Sequence, residues 1–300
     1  MVSFIIRRFL WTIPVVLLAT FITFALVHEM PFSDDVFSNP KYSASQVNSL
    51  KELYGLNESF LWQYVHFLRD LLTFDLGVST KPGALEIQRI ITQKLPISML
   101  LGACAFFVSA TIGVLLGMVS ALRANGIVDY AITVISTLAF ALPSFVTATL
   151  WVKYSPYYGW ETWSLRIGPI VILAVSIMPY FVRLVRASML EALQQEYIVT
   201  ARSKGLPWRT TVFRHAMRNS LIPTVVNAGP LFGFVLTGSF IIERIMSVPG
   251  IAGEFVNSFH QPIDNRLILA TTVLVAVVII LMNLIVDVIV GFLDPRISHE

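Results

Sequence analysis

The chain has one cysteine, Cys104, in 300 residues. That excludes an intramolecular disulfide framework and any Cys-only metal site, and within its apolar run the thiol acts as a small hydrophobe. Charge is also scarce. Asp, Glu, Lys and Arg make up 13% of the residues, about half the ~25% usual in soluble domains. The sequence has no Gly-x-x-x-x-Gly-Lys-Ser/Thr phosphate loop and no Gly-x-Gly-x-x-Gly dinucleotide fingerprint. Its five histidines, His28, His66, His215, His260 and His299, stand apart from any carboxylate or thiol at ligand spacing. ATP hydrolysis, dinucleotide chemistry and metal catalysis therefore have no candidate residues. A chain of intramembrane carboxylates, as a proton-coupled carrier needs, is missing too, since only Asp287 lies near the body of an apolar run.

What the chain has is apolar length. Hydrophobic residues are 56% of the total and the mean hydropathy is +0.74, which places the chain in a bilayer. A helix crossing ~30 Å of hydrocarbon needs ~20 mostly apolar residues. Six such stretches predict an all-α membrane protein with spans at about 9–29, 96–122, 130–152, 167–190, 219–242 and 267–291. The fourth is the shortest uninterrupted run. Arg183 at mid-bilayer would cost ~3 kcal/mol against ~0.3 to 0.6 recovered per Leu, Ile, Phe or Val. The expected solution extends the helix to Leu190 and lets Arg183 and Arg186 snorkel toward the inner headgroups.

The cations set the orientation. With the N-terminus inside, the inner segments hold eleven of the 21 Lys and Arg, and six of the other ten fall in the long outer segment 30–94. Long loops translocate with little regard to charge, so both termini are expected to be cytoplasmic. Arg7 and Arg8 before an apolar core resemble a signal peptide, but the core runs on through Val27-His28-Glu29-Met30 without a small-residue exit. An uncleaved first span is expected.

The outer segment shows helical spacing over Ser45 to Tyr54 and Phe60 to Leu72, with Tyr64, Phe67, Leu68, Leu71 and Leu72 on one face. Two short amphipathic helices over the bundle mouth follow, either capping helix ends or meeting a docking protein. Within the spans, Ser109, Gly113, Gly117 and Ala121 recur every fourth position, as do Gly229 and Gly233. That spacing lets helix backbones approach closely. Pro143 and Pro179 are expected to bend spans three and four, as moving parts or as static kinks. Asp287 is expected near the inner end of span six in a structural ion pair with an arginine from span one or four.

The most informative segment is the inner loop 191–218. Helical spacing runs from Leu190 to Lys204, Gly205 supplies a stop, Pro207 suits the next first turn, and that helix runs to about Arg218. Seven of the 21 basic residues lie between Arg183 and Arg218. A DNA-reading helix-turn-helix looks superficially similar, but both ends enter spans within a few residues and leave no room for a major groove, so no nucleic-acid partner is expected. A basic loop lying on anionic lipid is the ordinary alternative.

Glu196-Tyr197-Ile198-Val199-Thr200-Ala201-Arg202-Ser203-Lys204-Gly205-Leu206, followed by Arg214-His215-Ala216-Met217-Arg218-Asn219-Ser220-Leu221-Ile222-Pro223, closely resembles the coupling-loop signature of ABC importer permeases. It is similar to the dipeptide and oligopeptide branch in particular. Phe4-Ile5-Ile6-Arg7-Arg8, Tyr54-Gly55-Leu56-Asn57, Trp62-Gln63-Tyr64, Asp75-Leu76-Gly77, Pro249-Gly250-Ile251, Asp287 and Asp294-Pro295-Arg296 extend the resemblance along nearly the whole chain. Two departures from the general permease pattern stand out: Val199-Thr200-Ala201 replaces a Glu-Ala-Ala opening, and the stretch from Gly205 to Pro223 is longer than in the sugar-importer type. Both are as in the peptide branch. The loop between spans three and four is short compared with many peptide permeases.

The resemblance implies a type I ABC importer permease fold with an external helical insertion after the first span, in a bacterial or archaeal inner membrane. It implies a non-catalytic, channel-forming subunit for peptides. The implied partners are a second homologous permease, two cytoplasmic ATPases that bind ATP and magnesium, and an external binding protein. Glu196, Tyr197, Thr200, Ala201, Arg202, Lys204, Gly205, Arg209 and His215 are the residues it assigns to ATPase coupling. The same branch includes permeases for nickel, glutathione and some sugars. The competing class, a self-sufficient channel or secondary carrier, would carry an inverted repeat, and none is apparent.

Overall fold

The computed structural model describes residues 2–28, 58–79, 81, 85–237, 239–260 and 263–293, with side chains for all of these except 2–5, 8, 287 and 289–293. The predicted helix over Ser45 to Tyr54, the Asp287 ion pair and the motifs at 54–57 and 294–296 lie outside the described residues or side chains.

Among the described residues, five helices are long and apolar enough to cross a membrane, and a sixth span is made if one bent helix pair is counted as one. In chain order, α1 is Val2–His28, and α2 (Phe60–Thr73) lies outside the spans. α3 (Ile87–Leu122) and the bent pair α4 (Ile127–Ala141) and α5 (Ser144–Tyr154) follow, then α6 (Trp163–Leu193) and the short α7 (Glu196–Ser203). α8 (Trp208–Thr210) passes through a π-helical turn, Thr211–Ala216, into α9 (Met217–Leu236). α10 (Phe240–Ile245), α11 (Ile251–Ser258) and α12 (Asn265–Leu293) complete the chain.

Span three is not one rod. α4 and α5 meet at 90°, because Leu142 before Pro143 takes an extended conformation (φ −77°, ψ 118°) and Pro143 becomes the cap of the next helix. The ring of a proline clashes with a helical residue before it, which ends the helix there. Pro179, by contrast, lies within the continuous α6.

The small-residue ladder does what its spacing predicts. Ser109, Gly113, Gly117 and Ala121 are all buried. A Cβ on Gly113 would collide with Phe181, and one on Gly117 with Val182 and Val185, so α3 and α6 touch backbone to backbone. Gly229 and Gly233 admit Val286, Ile279 and Met282 of α12 in the same way. The central core joins Leu101, Phe106, Ile177, Phe181, Val235 and Met246. α2 lays Phe60, Tyr64, Phe67 and Leu71 on Phe24 and Val27 of α1 and Val273 of α12. Tyr64 is tied to Thr20 by a 2.9 Å hydrogen bond. Leu72 is off this face, 87% exposed.

Arg186 has a protein partner that the sequence pattern does not announce. Arg186 makes a two-pronged ion pair with Asp129, Nε to Oδ1 and Nη2 to Oδ2 both at 2.7 Å. Asp129 is 2% exposed and also accepts from the Ser120 hydroxyl and, at 2.8 Å, the Asn125 amide. A guanidinium fork matches a carboxylate in this way, and the extra donors satisfy the lone pairs that burial would otherwise strand. Arg183 instead places its guanidinium 4.2 Å from the centre of the Phe140 ring, in the last turn of α4.

Candidate coupling site

α6 stops at Leu193, and Gln195 turns extended (φ −73°, ψ 148°) to cap α7. The predicted helix from Leu190 to Lys204 is therefore broken near Gln194 and Gln195. α7 itself ends as the sequence suggests. Gly205 has φ +81°, its amide donates to the Arg202 carbonyl at 2.9 Å, and the Leu206 amide reaches the Ala201 carbonyl at 3.3 Å. These two bonds close a helix over a left-handed residue, which only glycine adopts without steric cost. Arg202 then stacks over Trp208 across the turn, 5.1 Å from the ring centre.

The seat of α7 is narrow. Ile198 and Ala201 are its buried residues, inserted among Met118, Ala121, Met189, Ala192, Val212 and Ala216 from α3, α6 and the π-helical turn. The wider i→i+5 winding at Thr211–Ala216 marks a departure from regular helix where α7 rests.

The other side of α7 is open. Glu196, Tyr197, Val199, Thr200, Arg202, Lys204, Gly205 and Arg209 are exposed, and His215 is half-buried. Val199 is 61% exposed and no atom lies within 4 Å of a Cβ built on Gly205. Of the nine residues read as coupling residues, seven are exposed, His215 is half-buried and Ala201 turns inward to the seat. Leu206, Trp208 and Phe213 add exposed apolar area. An exposed apolar patch rimmed by cations marks an interaction surface, for a protein or for a membrane.

Sequence reasoning missed two buried carboxylates, one near this site and one at the far end of the bundle. Asp129 was passed over in favour of Asp287; Arg186 inside a span, needing an anion, was the available signal. Glu243, 1% exposed, lies at the opposite end of the bundle. Its Oε2 accepts from the Gly253 amide at 3.2 Å, at the start of α11. Beside it the Ile251 amide donates to Ser98 Oγ at 2.9 Å, and a Cβ on Gly250 would strike both Ser98 and Glu243. The Pro249-Gly250-Ile251 motif is thus the floor of a tight carboxylate cradle.

The family model for the binding-protein-dependent transport system inner membrane component matches residues 113–299, and its N-terminal companion matches residues 1–82. The chain belongs to that family. Similar proteins include the dipeptide transport system permease protein DppB of Lactococcus lactis subsp. cremoris, 36% identical over 99% of both chains. The oligopeptide transport system permease protein OppB of Salmonella typhimurium is 35% identical over the full length of both. Among solved structures, the MetNI methionine ABC transporter superposes with a TM-score of 0.59 at 16% identity, covering 68% of this chain and 96% of that one. It carries the fold. This permease is accordingly a multi-pass membrane component of a binding-protein-dependent transport system, and α7 is the part of it that the seat and the open surface set apart.

Proposed function

We propose that the chain is the non-catalytic, channel-forming subunit of an ATP-driven importer for peptides. An external binding protein delivers the peptide, a second permease completes the passage, and two cytoplasmic ATPases carry ATP and magnesium. The α7 end and both termini face the cytoplasm. α7 is the coupling helix: it enters the ATPase surface through Glu196, Tyr197, Thr200 and the Arg202, Lys204 and Arg209 rim, and ATP-driven closure biases the bundle between inward and outward states. The relatives' dipeptide and oligopeptide transport supports the substrate class.

The observation that carries this reading is the shape of α7: eight residues, two of them buried, closed by a left-handed glycine and open on the other side. Gly205→Val tests it. Nothing crowds a side chain at that position, so the damage is confined to the backbone of the turn, about 1–2 kcal/mol of strain. Expected: the variant inserts at the wild-type level, and peptide uptake is lost. Wild-type ATPase co-purification together with wild-type uptake would sink the assignment.

A further inference from the structure

Arg183 lies ten residues before the end of α6, about 15 Å along the helix axis, and it is exposed. Among the described residues no carboxylate reaches it; it meets the Phe140 ring and the Pro179 carbonyl, 3.4 Å from Nε. A cation within a span and without an anion is costly against lipid and is found where water or a ligand meets it.

A second observation concerns the backbone around it. Pro179, Pro223 and Pro230 lie inside α6 and α9. Each lacks an N–H, so the carbonyls of Val175, Asn219 and Val226, four residues earlier, lose their helical donors. All three residues are exposed. Freed carbonyls at membrane depth are tolerated where they line a water-filled cavity or are covered by protein, and not where they meet acyl chains. On the same side, Tyr180 donates to the Asn227 carbonyl at 3.4 Å, joining the two helices, and Ser176 stands one turn away on α6. α1 and α3 carry one internal proline each, Pro14 and Pro96, and α12 has none from Asn265 to Leu293.

We infer that the joint face of α6 and α9 lines the aqueous passage and that Arg183 binds the C-terminal carboxylate of a peptide in transit. This rests on the proposed function for its substrate and on charge complementarity for its chemistry: a guanidinium, held by an aromatic face and left with free donors, takes a planar carboxylate. The phosphate of a lipid headgroup offers the same acceptor chemistry, and the experiment separates the two.

The full importer, with its binding protein at saturation, is reconstituted in phosphatidylcholine vesicles with and without phosphatidylglycerol. Uptake of one peptide and of its C-terminal amide is measured for wild type, Arg183→Gln and Arg183→Lys. Any preference of the binding protein cancels between wild type and variant. Expected: Arg183→Gln slows the free acid about tenfold and the amide less than about twofold, as loss of one charge-assisted hydrogen bond predicts. Arg183→Lys recovers part of the loss, and both lipid mixtures agree. Equal slowing of acid and amide, no slowing, or a defect that follows the lipid would overturn the carboxylate site.

In a Cys104→Ala background, Ser176→Cys and Asn227→Cys are expected to react with a charged, membrane-impermeant thiol reagent, and Ile285→Cys on α12 is expected to resist it. Protection of both path cysteines would refute the wet face. A wild-type importer that moves neither peptide sinks the proposed function and the carboxylate site together, whereas thiol labelling judges the wet face by itself.

Discussion

The two ends of the bundle each carry an eight-residue helix beside a buried carboxylate, and they hold these parts in opposite ways. At the α7 end, Asp129 is balanced by a full cation from another span, and α7 rests on two side chains, Ile198 and Ala201. At the α11 end, the Glu243 carboxylate is itself the fastening. It accepts an amide from the first turn of α11, with Oε1 left without a partner. Lys94 adds an ion pair to Glu254 of the same helix. α11 is riveted to the frame; α7 is seated on it. Few anchors and a large open face suit the coupling role proposed for α7, and many anchors suit a helix that closes the mouth of a bundle.

The largest effect should come from breaking the ion pair. Asp129→Ala strands the Arg186 guanidinium and is expected to cost about 3 kcal/mol, read as a lower unfolding midpoint in detergent. Adding Arg186→Gln should return part of it, and a double variant as unstable as the single one would deny that pairing is what Asp129 does. Ile198→Ala removes the main anchor of α7 at about 2 kcal/mol. Because the loss is local, it should appear as faster tryptic cleavage at Arg202 and Lys204 with little change in the global midpoint. A fall in the midpoint as large as that of Asp129→Ala would mean that α7 is not merely seated. The smallest effect should be that of Glu243→Gln, about 1 kcal/mol, since an amide oxygen still accepts from Gly253 while the unpartnered oxygen position gains a donor. A loss comparable to Asp129→Ala would show that charge, not acceptor geometry, fastens α11.

How much of this was legible in the sequence depended on whether the cause was local. Gly205 and Pro207 announce their turn because conformation is written in those residues themselves, and the Ser109, Gly113, Gly117, Ala121 ladder announces a close crossing by its period. Two prolines in apolar runs, Pro143 and Pro179, read alike yet differ, since one ends a helix and the other is carried through. Neighbouring helices decide which, and periodicity holds no record of them. Asp129 and Arg186 are 57 positions apart, so no motif joins them. The cost of a lone arginine in a span was the clue, and the expectation of snorkelling used it up too early. Glu243 was hidden beside Arg244 at the end of an apolar stretch, where a charge looks like an ordinary interface residue.

The α3–α6 seam has a consequence in lengths and angles. α6 has 31 residues and is about 46 Å long. Gly113 and Gly117 press α3 against its C-terminal half, and close-packed backbones resist shear. Displacement at the foot of α6, where α7 is seated, is therefore not absorbed along the way. A tilt of about 10° at the foot moves the far end of such a rod by about 8 Å, a distance on the scale of a peptide backbone's width. A small displacement at the foot of α6 is in this way magnified at its far end, with α6 as the long arm.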